Sequence, residues 1–250
     1  MMFLTTVSLT SIVKKQYSYK LKAYVQMFWN LVFLQLLAIL FSLNGVGMSG
    51  SSSETLEVEV HYYSADLVAF FTMLWGFIIA IIITTKAYRN DDFTFVTNRL
   101  SHNLSNILFL LTASIIGGLT AMLSPNLLKV IMYIFDRQLM VASTSAAGSL
   151  NEFIIGICTT SLYIFLFCAL GYLIGTLVQI HKVFVVLVPA LFFGALFLGG
   201  VSGNTRIVSN FFGFIFTESS ILLFMTKIII SCTLVFASAL VLSTRLEVKQ

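Results

Sequence analysis

Six long apolar stretches alternate with short polar ones along the chain, at about residues 21–43, 65–85, 105–123, 153–178, 183–202 and 220–243. Each is close to the ~20 residues that a helix needs to cross the hydrocarbon core of a bilayer. Only two prolines occur in the chain, so the stretches read as unbroken helices that satisfy their own backbone groups in lipid. The predicted fold class is all-α, a polytopic membrane bundle of six transmembrane helices forming one transmembrane domain over residues 1–250. What lies between the spans is too short for a separate soluble domain.

Three further segments have helical character without the length to cross. Phe3, Leu4, Val7, Leu9, Ile12 and Val13 precede Lys14, Lys15, Lys20 and Lys22, an order opposite to that of a secretory signal. This predicts an N-terminal amphipathic helix lying on the cytoplasmic leaflet. Ser124-Pro125 reads as an N-cap followed by a first-turn proline. An outer interfacial helix is predicted from there through Leu127, Leu128, Val130, Ile131, Ile134 and Phe135 to Asp136-Arg137. Between the last two spans, Arg206 to Glu218 contains Phe211, Phe212, Phe214 and Phe216, the pattern of an outer interfacial or re-entrant helix.

Composition removes the alternatives to a membrane protein. Hydrophobic residues make up 58% and charged ones 10%, against about 45–50% and about 25% in soluble domains. Disorder and a disulfide scaffold are excluded, and Cys158, Cys168 and Cys232 all fall within apolar runs, where a thiol behaves as a small hydrophobe. The net charge of +4 is a topological signal. With six spans and the N-terminus inside, ten basic residues lie inside (Lys14, Lys15, Lys20, Lys22, Lys86, Arg89, Arg99, Lys182, Arg245, Lys249) and four outside (Lys129, Arg137, Arg206, Lys227). The first outer loop has Glu54, Glu57 and Glu59 and no Lys or Arg. Both termini are therefore expected in the cytoplasm.

Motifs that would carry chemistry are absent or out of context. Gly45-Val46-Gly47-Met48-Ser49-Gly50 matches the dinucleotide fingerprint in form, but it leaves a membrane helix and runs into serines, where the fingerprint needs a preceding strand and a following helix. A flexible outer turn is expected there. No phosphate-binding Gly-Lys-Ser/Thr, zinc-binding His-Glu-x-x-His or Gly-x-Ser-x-Gly elbow occurs. His61, His102 and His181 are scattered near membrane boundaries and read as solvated, and Asn103-Leu104-Ser105 is a glycosylation sequon only in form, at a cytoplasmic mouth. No catalytic residue, cofactor or metal site is expected. Asp66, Glu152, Glu218 and Lys227 sit at or near span ends, so the parts of an ion relay are missing. Asn30 and Gln35 in the first span are the candidates for a translocation path, unless they bond to a neighbouring helix. Gly117 and Gly118, Gly171 and Gly175, and Gly194, Gly199 and Gly200 are expected where helices approach closely, within the bundle or at a subunit interface.

The loop after the second span, Lys86 to Ser101, mixes both charge signs with Tyr88, Phe93 and Phe95. Apolar anchors flanked by charges suit an element that docks into a partner. The stretch Phe95-Val96-Thr97-Asn98-Arg99-Leu100-Ser101, the Ala169 to Gly175 end of span four with His181-Lys182 after it, and the phenylalanine-rich segment before span six resemble permease subunits of ATP-binding-cassette exporters of the type-2 class. The resemblance implies a second permease subunit, the same chain or a different one, and separate cytoplasmic ATPase subunits that bind ATP and Mg, in a cell membrane, expected to be a bacterial plasma membrane. It also implies that Tyr88, Arg89, Asp91, Asp92, Phe93, Phe95 and Arg99 form the ATPase-coupling segment, that spans one, two and five line the path, and that the cargo is an exported amphipathic lipid, peptide or drug. The competing expectations are a stand-alone carrier or channel and an intramembrane enzyme.

Overall fold

A computed structural model describes residues 8–43, 47–53, 56–62, 64–88, 98–134, 150–201, 213–214, 218 and 220–245. Helices α1 (Leu9–Ala23) and α2 (Val25–Ser42) are followed by strands β1 (Gly47–Ser53) and β2 (Leu56–Tyr62), then α3 (Asp66–Thr84), α4 (Arg99–Ile134), α5 (Leu150–Ile180), α6 (Phe184–Val201) and α7 (Ile221–Arg245). Five of the helices, α2, α3, α4, α5 and α7, are long and apolar enough to cross a membrane. The chain is a multi-pass membrane protein. The last expected span but one is helical over Phe184–Val201.

Two expectations need correction. In place of a flexible outer turn, the polar stretch after α2 pairs as an antiparallel hairpin, with Gly47 opposite Tyr62 and Ser53 opposite Leu56. Val58 and Val60 alternate with glutamates in β2, the period of a strand. The second correction is at Ser124-Pro125. No helix starts there, because α4 runs unbroken through it for 36 residues, about 54 Å at 1.5 Å per residue. A proline inside a helix leaves the carbonyl four residues back without its donor. Here Ser124 Oγ donates to that carbonyl, Ala121 O, at 2.6 Å. The same Ser-Pro pair that would cap a helix start thus repairs a helix interior. Residues 135–149, which include the end of the expected outer helix, lie outside the described residues, as does most of the phenylalanine-rich segment before α7.

Contacts fix the direction of each helix. α1 and α2 run alongside α4 in the same direction: Lys20 meets Ser105 and Asn106, Tyr24 and Phe28 pack on Phe109, and Gln35 reaches Thr120. α3 returns antiparallel, with Trp75 Nε1 donating to Met27 O at 3.2 Å near one end and Val68 clustered with Ala38 and Ile39 near the other. α5 packs against α3, α4 and α7 and is the hub of the bundle. It is parallel to α3, through Gly76 on Ile164 and Cys168 and Gly175 on Ile81 and Thr84. It is also parallel to α7, through Tyr163 on Phe224 and Tyr172 on Phe236. One end of the bundle therefore carries α1 and the other the hairpin.

The expected close approaches fall inside the bundle at four glycines. A Cβ on Gly118 would lie 2.9 Å from Ser161 N and 3.0 Å from its Cα, and one on Gly117 would lie 3.1 Å from Thr72 Cγ2. Gly171 faces the Phe77 carbonyl with Ala80 Cβ at 3.1 Å, and Gly175 has Ile81 Cα at 3.2 Å. Without hydrophobic driving force in lipid, such contacts let dispersion hold helices together. Gly194 is different, with open space where its Cβ would be.

Candidate functional site

Polar side chains from four helices converge at the α1 end. On α1, the buried positions Val13, Gln16 and Lys20 continue to Tyr24 at intervals of three and four, and they face α4. Two of these are polar. Lys20 is 0% exposed, and its ammonium donates to Ser105 Oγ at 2.8 Å and to Asn106 Oδ1. Ser105 Oγ in turn donates a hydrogen bond to His102 O at 2.8 Å. The amide nitrogen of Asn106 stands 3.1 Å from His102 Nε2 and donates to Tyr172 Oη of α5 at 3.4 Å. Tyr172 Oη donates to Asn103 Oδ1 at 2.6 Å, and Asn103 Nδ2 donates to Ser243 Oγ of α7 at 3.0 Å. The chain of bonds joins α1, α4, α5 and α7.

The start of α4 explains why these groups share a place. Asn98 stands before the first turn, where its N–H donates to Ser101 Oγ at 3.1 Å and its carbonyl accepts from Ser101 Oγ and from His102 N. That capped start fixes the register in which His102, Asn103 and Asn106 follow. Positions 102 and 106 are one turn apart and neighbour each other on the helix surface. In an interior of low dielectric, each of these polar groups needs its partner, and the cluster holds the helix ends in one arrangement. It offers no nucleophile with a base, and no group of three metal-binding side chains exists among the described residues. Its chemistry is that of a clamp.

The residues expected to carry function are placed as follows. Gln35 is buried, and Nε2 donates to Thr72 Oγ1 at 3.0 Å and to Thr120 Oγ1 at 2.9 Å. It ties α2 to α3 and α4 halfway along the bundle. Asn30 is exposed on the outer face of α2 and does not join it. Tyr88 is half-buried with its ring edge-on to Tyr24, centroids 5.0 Å apart, so it is spent inside the chain at the break between α1 and α2. Arg99 lies in the first turn of α4, and Arg89, Asp91, Asp92, Phe93 and Phe95 lie outside the described residues. His102 is a member of the cluster rather than a solvated boundary group.

From sequence, Lys20 reads only as an inner basic residue, Asn103 and Ser105 only as a formal sequon and Tyr172 only as part of the Ala169 to Gly175 stretch, and Asn106 has no reading. A signal existed: Gln16 and Lys20 occupy the spacing of Val13 and Tyr24, and the polar run from 101 to 106 opens an otherwise apolar helix. Gln35→Leu is expected to cost about 0.6 kcal/mol, at most about 1.7, the range of interhelical bonds in membranes. Both threonine hydroxyls keep their backbone acceptors, Val68 O for Thr72 and Ile116 O for Thr120. Thermal unfolding in detergent measures it, and a loss of more than about 3 kcal/mol would mean that Gln35 holds more than these two bonds. No protein-family model, curated protein or solved structure matches the chain.

Proposed function

We propose that this chain is the membrane-spanning subunit of an ATP-driven exporter, working with a separate cytoplasmic ATPase and a second permease subunit. One observation supports the reading above others. The residues that flank the segment, Tyr88 and Asn98, both stand beside the polar cluster: Tyr88 packs on Tyr24, one turn beyond Lys20, and Asn98 caps α4 through Ser101, next to His102. A push on that segment would reach Lys20, Asn106 and Tyr172, and through them α1, α4, α5 and α7 together. Coupling to an outside motor needs such a part, and a passive channel has no use for it.

The reading includes a sixth crossing. α5 and α7 are parallel neighbours, so the chain returns to the hairpin end between Ile180 and Ile221. α6, at 18 residues, has a length of about 27 Å, which suits that return. Both termini are then on the cytoplasmic side, and an amphipathic cargo would pass along the exposed face of α2, where Asn30, Trp29 and Phe33 stand.

Purification in mild detergent tests the proposal: a stoichiometric ATPase subunit is expected to accompany the chain. Phe93→Ala with Phe95→Ala, and separately Arg99→Glu, are expected to weaken that association by about 1–4 kcal/mol, as for interface hot spots. Transport should fall in parallel while insertion is unchanged. Full ATPase binding and transport in these variants, or transport by the chain alone in liposomes, would overturn the reading.

A further inference from the structure

The face of α1 opposite its docked one carries Lys14, Lys15, Ser18 and Lys22, all exposed. They repeat at three and four residues, whereas Val13, Gln16 and Lys20 turn towards α4. No acidic residue precedes Glu54 in the chain, so nothing in α1 or α2 neutralises these lysines. Lys86 beyond α3 and Lys182 beyond α5 are exposed at the same end of the bundle. Asp66, Glu152 and Glu218, the described acidic residues of the helical segments and their flanks, stand at the other end. We infer that the Lys14, Lys15 and Lys22 face of α1 binds the anionic headgroups of the adjoining leaflet and gathers acidic lipid around the α1 end.

Position and charge both favour lipid over an acidic protein. α2 follows α1 after the single residue Tyr24, so Lys22 lies within a turn of a membrane-crossing helix. A lysine can lay its aliphatic stem along apolar surface and keep its ammonium at the phosphate level. Each lysine near an anionic surface contributes about 1 kcal/mol, screened by salt. Of the apolar residues of α1, Val13 is buried with Gln16 and Lys20, whereas Leu9 and Tyr19 are exposed with the lysines. The exposed apolar groups can rest on any leaflet, and the basic face is what selects an anionic one. The inference rests on the membrane-crossing helices and is independent of any ATPase.

The chain carries its own reporter. Trp29, in the second turn of α2, is 70% exposed, and the other tryptophan, Trp75, is buried. Lipids with brominated tails quench a tryptophan on contact, so the whole protein is reconstituted in phosphatidylcholine containing brominated phosphatidylglycerol or brominated phosphatidylcholine. Phosphatidylglycerol is expected to bind near Trp29 about fivefold more tightly, equivalent to about 1 kcal/mol, with the preference fading as salt is raised. Lys14→Gln, Lys15→Gln and Lys22→Gln together should abolish the preference, and the three Lys→Arg changes should keep it. If the glutamine variant does not fold, the salt titration of the unaltered protein and the arginine variant decide. Equal quenching by both lipids, a preference insensitive to salt, or one that survives the glutamine changes would overturn the inference. So would loss of a protein partner from the glutamine variant with its lipid preference intact, since the face would then belong to that partner.

Discussion

Asn106→Leu is expected to be the most damaging single change at the α1 end, destabilising the protein by about 3 kcal/mol or more. It removes the carbonyl that accepts from the buried Lys20 ammonium, together with the amide that faces His102 Nε2 and Tyr172 Oη. Bonds to a charged group are worth about 1.5–3 kcal/mol, and the buried ammonium would keep Ser105 Oγ but lose its amide acceptor, while the Tyr172 and His102 groups lose the amide nitrogen. Asn106→Asp should cost less, because it keeps an acceptor opposite Lys20 and gives up only the amide donors. Adding Lys20→Met to Asn106→Leu should restore much of the loss, since an apolar replacement of both partners of a buried polar pair is often close to neutral. Unfolding in detergent of the two single variants and the double one supplies the coupling energy. Additive losses would show that Lys20 and Asn106 do not act as a pair.

The second large effect is expected at the helix seams. Gly171→Val and Gly118→Val each drive carbon into backbone, the Phe77 carbonyl in one case and Ser161 N and Cα in the other. Backbone cannot turn aside as the tip of a long side chain does. Overpacking of this kind costs about 1–3 kcal/mol where neighbours can shift, and these positions are expected at or above the upper limit. Gly156 is the built-in comparison, because its Cβ would meet only the end of Met122, and Gly194 has open space. Gly156→Ala and Gly194→Ala should be tolerated. Yield and thermal unfolding of the four variants give the ranking, and a Gly171 variant as stable as the Gly194 one would refute the packing described.

Hydropathy made most of the bundle legible before the structure, because lipid demands long apolar helices and little else imitates them. The expected span at 65–85 is α3, and that at 153–178 is α5 with a turn added at its start. Gly117, Gly118, Gly171 and Gly175 were also readable, since small residues have few other uses in a span. What stayed hidden depended on three-dimensional partners. Lys20 reads in the sequence as one more cytoplasmic charge, because a lysine's role in topology and its role in a buried cluster look the same in one dimension. Ser124-Pro125 fits a helix start and a repaired helix interior equally well, and only the Ser124–Ala121 bond distinguishes them. Gln35 was readable as polar, but its choice of Thr72 and Thr120 required knowing which helices are neighbours.

The parallel pairing of α3 with α5 has a consequence for how the protein is made. Gly175 meets Thr84 across about 90 residues of chain, which at about 5–20 residues per second means a wait of roughly 5–18 s after α3 is synthesised. During that interval α3 can pair with α2, through Trp75 and Met27 and through Thr72 and Gln35, but its glycine face has nothing to meet. This glycine-lined seam thus closes only after α5 has been made. An incomplete chain that stops before α5 would present Gly76 and its flanks to lipid, a mark by which quality control could tell a half-made protein from a finished one.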